Sequence, residues 1–183
     1  MPRITLALLP PLLGLAAACS DANSLPDPTD ANVVDTVTIG ALVGTPISTP
    51  SAWSITAGTV RTDLSSEFEF AYNVEADGRR VLLPRAAMGL VSNTGLDPGL
   101  QLRTERFDAI TKARSNGYTT DAPVPVETGQ VFLVRSRLLC TSLGVPLYGK
   151  IQILSFEDST VTFQVLADRN CGYKGLQPGL PDE

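Results

Sequence analysis

Strict alternation of apolar and polar residues is the feature that most limits what this chain can fold into. In "EFEFAYNVEADGRRVLLP", residues 67–84, Phe68, Phe70, Tyr72 and Val74 share one phase, while Glu67, Glu69, Asn73 and Glu75 share the other. A strand sends successive side chains to opposite faces, so this spacing predicts a half-buried strand with Glu67 and Glu69 on its solvated side. Asp77-Gly78 then predicts a type I′ hairpin turn, which needs positive φ at both central residues, with 79–83 as the returning strand. A second hairpin is expected where "LYGKIQILSF" meets "EDS" and returns as "TVTFQVLA". "VFLVRSRLL", 131–139, reads as a third strong strand, and "VVDTVTIGALVG", 33–44, as the first.

Between these runs the punctuation is Gly, Pro and Asn, as in "SNTGLDPG" and "SNGYTTDAPVPVETG". No helical spacing of apolar residues persists over ten positions; "TERFDAITKA", 104–113, supplies a few turns at most. Short strands with frequent turns predict an all-β fold, an antiparallel β-sandwich, jelly-roll-like or a partly open barrel, with at most one short helix.

The first eighteen residues are of another kind: Arg3, then an apolar stretch ending in small residues, the order of a secretory signal. A bilayer span needs about 20 apolar residues, and Pro10-Pro11 would remove hydrogen bonds from the middle of any such helix. "LAAAC", 15–19, resembles the lipobox of bacterial lipoproteins, with Ala16 where Leu is usual. The resemblance implies that residues 1–18 are removed, that Cys19 is lipidated, and that the chain is held in the cell envelope through this anchor. Ser20 after the Cys carries no Asp-type retention signal, which points to the outer membrane of a Gram-negative cell. The alternative is an ordinary signal peptide cut after "AAA", leaving Cys19 a free thiol.

Residues 19–32 read as a tether, since "SDANSLPDPTDAN" holds Asp21, Asp27 and Asp30, two Pro and a single large apolar residue, Leu25. Such a segment buries too little apolar surface to offset the entropy of ordering. Residues 33–183 then form one domain.

With nineteen Asp and Glu against fourteen Lys and Arg, the chain lacks the basic footprint that phosphate backbones require, so a nucleic-acid partner is not expected. His is absent, which removes Ser-His-Asp and Cys-His chemistry and the commonest general acid–base group. Glu67 and Glu69 on one strand face would stand too close together to flank a glycosidic bond. No enzyme activity, metal site or cofactor is therefore expected. Arg135 and Arg137 share a strand phase and, with Arg103, Arg106 and Arg114, are the candidates for an anion pocket; an exposed strand face is the simpler account of them.

Cys140 and Cys171 remain, and in an exported chain an even pair is most simply a disulfide. Two Cys without His or C-x-x-C spacing are too few for a closed metal site. In "ADRNCGYKGLQPGLPDE", 167–183, Asp168, Arg169 and Asn170 precede the Cys, and a tail this rich in turn formers would fray unless Cys171 anchors its first half.

"GQVFLVRSRLL" followed by "YGKIQILSFEDSTVTFQV" is similar to the end of the HmuY-like haem-binding lipoproteins. That resemblance implies an all-β lipoprotein with a ligand cleft at one end of the sandwich. No haem ligand carries over, because the family's paired His are missing and Met88 is the one Met beyond the leader; Tyr can hold haem iron, and Tyr118, Tyr148 and Tyr173 lie in or near turns. Two function classes follow. One is a ligand-binding or scavenging lipoprotein that takes a small apolar or sugar-like molecule in a cleft lined by loop aromatics such as Trp53, Tyr118 and Tyr148, with Arg135 and Arg137 nearby. The other is a structural or protein-interaction lipoprotein of the envelope with no small ligand.

Overall fold

Ten strands account for almost all regular structure in the computed structural model, which describes residues 25–182; the apolar leader and Cys19 lie outside them. They are β1 (Val34–Gly40), β2 (Ala52–Ser54), β3 (Gly58–Val60), β4 (Phe70–Val74), β5 (Arg80–Pro84), β6 (Gly99–Arg103), β7 (Val124–Pro125), β8 (Val131–Cys140), β9 (Val145–Glu157) and β10 (Thr160–Asp168). The strands form two antiparallel sheets of five, in the orders β1-β10-β9-β8-β6 and β3-β2-β4-β5-β7, and the sheets do not close into a barrel. The expected antiparallel sandwich is the fold. The segment 104–113 contributes a single 3-10 turn, Phe107–Ala109, and a second lies at Arg85–Met88.

Alternation explains the core between the sheets. Val37, Ile39, Phe163, Val165, Ile151 and Phe132 project inward from the first sheet and meet Trp53, Phe70, Tyr72 and Leu82 of the second. Phe70 and Phe163 stand 5.8 Å apart across the interface, and Trp53 meets both rings. Burying side chains of this size stabilises the fold by about 1.5–3 kcal/mol each.

β9 runs antiparallel to both β8 and β10, so β8 and β10 end at one margin of the sheet. There Cys140 and Cys171 form the expected disulfide, with Cα atoms 5.6 Å apart, well inside the range a bridge requires.

Three expectations are corrected. The hairpin after β4 is not a I′ turn, because only Gly78 has positive φ there (84°), with Gly78 N–H bonded to Glu75 O and Glu75 N–H to Arg79 O. This is a longer turn closed by a left-handed Gly, which suits the strand twist equally well. Glu69 is not on a solvated face. β4 begins only at Phe70, so the phase read through 67–69 does not hold; Phe68 joins Ala52, Val60 and Ala71 on the outer face, and Glu69 turns inward to 2 % exposure.

The third correction concerns the tether. Its part from 26 to 32 is fastened to the tail: Tyr173 donates to Pro26 O (3.1 Å), Thr29 and Asp30 N–H donate to Asn170 Oδ1 (2.8 and 3.0 Å), and Asn32 and Gly179 exchange both backbone hydrogen bonds (2.7 and 3.0 Å). Composition misleads here because polar pairing, rather than apolar burial, orders the segment. The tail is held in turn beyond its disulfide, through Leu176, fully buried, and a backbone bridge from Gly175 to Lys112.

Candidate functional site

The five candidate ligand residues divide into separate places. Tyr118, Tyr148 and Arg135 come together on the outer face of the first sheet, where Arg135 lies opposite Tyr148 in the β8–β9 register and its guanidinium sits 4.7 Å above the Tyr118 ring. Arg137 does not join them. A bulge between Arg135 and Leu138 shifts the register, and Arg137 forms an ion pair with Glu67 instead. The larger arginine pocket is also absent, since Arg103 is occupied by Glu105 while Arg106 and Arg114 are exposed. Trp53 and Tyr148 are strand residues rather than loop aromatics.

The outer-face group is closed by its own chain. Arg135, 8 % exposed, donates to Ser115 O and Asp97 O, each at 3.2 Å, and the Tyr118 hydroxyl donates to Arg114 O at 2.7 Å. Beside them Lys150 is buried in the middle of β9, and its ammonium donates to Phe107 O and Ile110 O, both at 2.8 Å, while lying 4.4 Å from the Phe107 ring centroid. Burial pushes the Lys150 ammonium down, and pushes the Tyr118 and Tyr148 hydroxyls up. Both cations end on backbone carbonyls of the covering segment, of which Phe107 O also accepts the Ile110 N–H. These groups staple the 97–118 region onto the sheet.

Trp53 belongs to a different place. β1 is the margin of one sheet and three-residue β3 the margin of the other, and between them opens a cleft of about 280 Å³. Its floor is Val37, Trp53, Val165 and Ala167, and Asp30, Asp35 and Arg169 stand among its lining. Asp35 occupies the inward phase of β1 with Val37 and Ile39, opposite Val165, so the pleat sends a carboxylate toward the cleft instead of an apolar side chain. It accepts the Thr36 N–H at 2.7 Å. Arg169 follows β10 and donates through Nε to Ile55 O at 3.0 Å. A Cβ placed on Gly58 would meet nothing, which keeps the β3 side open.

Glu69 supports this region from behind. Its backbone N–H donates to Trp53 O (2.9 Å) and its Oε2 accepts the Ile55 N–H (2.6 Å), so one residue holds both ends of the 53–55 segment. Burial pushes its carboxyl up to about 7, against the opposing effects of the Ile55 N–H and the Arg137 charge. Among the described residues no group of three or more His, Cys, Asp or Glu is placed to hold a metal.

Sequence reasoning missed Asp30, Asp35, Arg169 and Lys150. For Asp35 the signal was present as a charge in the apolar phase of an alternating strand, and for Lys150 as a charge in the centre of one. Asp30 and Arg169 carry no such mark; only folding brings the tether to β10. The chain has no match among family models, curated proteins or solved structures.

Proposed function

We propose that this is a non-catalytic lipoprotein of the bacterial envelope, anchored through Cys19 at the outer membrane, whose β-domain binds a small molecule in the cleft over Trp53. The observation that carries the reading is the cleft itself: an apolar floor inside a ring of charged groups, the combination ligand sites favour. Its volume lies just below the range of about 300–1,000 Å³ for drug-sized ligands, which suits a small metabolite and not a macrocycle such as haem. The HmuY-like resemblance supports the placement, since it implies a cleft at one end of an all-β sandwich, while the missing His separates this ligand from that family's. The protein-interaction reading draws on the margin strand β1, where Val34 and the preceding Val33 are exposed at the cleft.

Native mass spectrometry of the soluble domain purified from its own host tests the reading. A small molecule should co-purify, and it should be lost from Ala167→Leu, which fills the cleft. Protein free of any such mass, with a partner protein captured instead, would favour the interaction reading. The anchor has its own test: Cys19→Ser should move the protein from the membrane fraction to the soluble fraction.

A further inference from the structure

Asp168-Arg169-Asn170 is the one distinctive triplet of the tail that the fold alone does not explain. Asp168 is fully buried and Asn170 nearly so, and burying polar groups is costly unless each is satisfied. Asn170 is satisfied completely. Its backbone N–H and one Nδ2 hydrogen donate to Asp168 Oδ1, both at 2.9 Å; the other Nδ2 hydrogen donates to Asp30 O at 2.8 Å; and Oδ1 accepts from Thr29 and Asp30 N–H. One amide thus grips the Asp30 peptide from both sides, which sets where the Asp30 carboxylate stands. Between the two buried residues, Arg169 leaves in the other direction, with Nε fixed on Ile55 O. A spacer needs no such clamp. What the network accomplishes is to bring one carboxylate and one guanidinium to the lining of a single cleft, where β1 adds Asp35.

We propose that the triplet builds the charged rim of the cleft and that the site takes a small zwitterion with an apolar body, of the class of the apolar α-amino acids. This rests on the reading of the cleft as a ligand site. Two carboxylates select an ammonium group, the guanidinium selects a carboxylate, and Val37, Trp53, Val165 and Ala167 receive the side chain. A ligand with an anionic group alone meets two like charges, and an uncharged sugar leaves the rim charges without partners. Holding the rim in place before the ligand arrives lowers the ordering cost of binding.

The test titrates the purified protein with L-leucine and follows the emission of Trp53, the chain's single tryptophan, with calorimetry alongside. Isoamylamine, isovalerate and glucose serve as comparators. Leucine should saturate the signal, and each single-charge analogue should bind at least about tenfold more weakly, the worth of one charge-assisted hydrogen bond. Arg169→Gln should weaken leucine and leave isoamylamine unaltered. Asp30→Asn, which keeps the backbone clamp, should weaken leucine and isoamylamine alike; Asn170→Ala should weaken leucine by releasing Asp30, and Asp30→Asn stands in its place if that variant fails to fold. Isoamylamine binding as tightly as leucine would overturn the zwitterion. A Trp53 response to glucose or to a co-purified molecule, without one to leucine, would overturn the ligand class and leave the cleft reading standing. Silence toward every probe, with no co-purifying mass, would overturn both.

Discussion

The outer face of the first sheet and the cleft at its margin are assembled from the same kinds of residue, yet they do opposite things. Both bring cationic side chains and aromatic rings to one place: Arg135 and Lys150 over Tyr118 and Phe107 in one, Arg169 and Trp53 in the lining of the other. On the outer face Arg135 and Lys150 end on carbonyls of the same chain, and the covering segment shuts the site. At the margin, a three-residue strand and a glycine leave the mouth open, and the charges stand around a void. Aromatic and arginine content therefore does not identify a binding site, and neither does a carbonyl partner, since Arg169 Nε donates to Ile55 O; what separates the two places is whether a segment of the chain covers them.

If that contrast is right, substitutions in the closed region change stability and substitutions at the open rim do not. The largest effect belongs to the disulfide that secures the tail covering the outer face: Cys140→Ala with Cys171→Ala should cost about 4 kcal/mol in chemical denaturation. Next comes Glu69, the hidden support of the cleft. Folded, it keeps its proton up to about pH 7, whereas a glutamate ordinarily loses it near 4.5; stability is therefore full below the lower value and falls as pH rises through 7. Glu69→Gln should remove that slope and stabilise the protein by about 3 kcal/mol at pH 8. A slope that survives the substitution would assign it to another group.

Lys150→Met replaces the buried ammonium with an apolar chain of similar length and strands the Ile110 carbonyl, while Phe107 O keeps the Ile110 N–H. It should cost about 2 kcal/mol and raise amide exchange across residues 106–113. The smallest effect is expected at the rim: Asp35→Asn should alter stability by no more than about 0.5 kcal/mol. A loss of several kcal/mol there would make Asp35 a structural group and erase the distinction between the two regions.

β1, β4, β5, β8, β9 and β10 were legible in the sequence pattern, whereas the short β2, β3, β6 and β7 were not read as strands, and the disulfide followed from the one pair of Cys left to the domain. Legibility failed where a local pattern was carried past its structural limit. The phase of Phe70 and Tyr72 does not extend back to Glu69, since the strand begins between them. Arg135 and Arg137 look equivalent until a bulge sends them to different partners, and a bulge has no mark in "VRSRLL". The tether was the largest omission. Its fastening depends on Asn170 and Gly179, nearly 150 positions away, and spacing cannot report contacts of that range.

The reciprocal pair of hydrogen bonds between Asn32 and Gly179 makes the domain nearly a closed ring. Its two ends leave the same pole, about one strand spacing of roughly 5 Å apart. A short linker across that gap, with the chain reopened in the exposed loop 141–144, should give a circular permutant that keeps both sheets. By the same geometry, a reporter fused after Gly179 would emerge beside Asn32, and the opposite pole of the sandwich would point away from it.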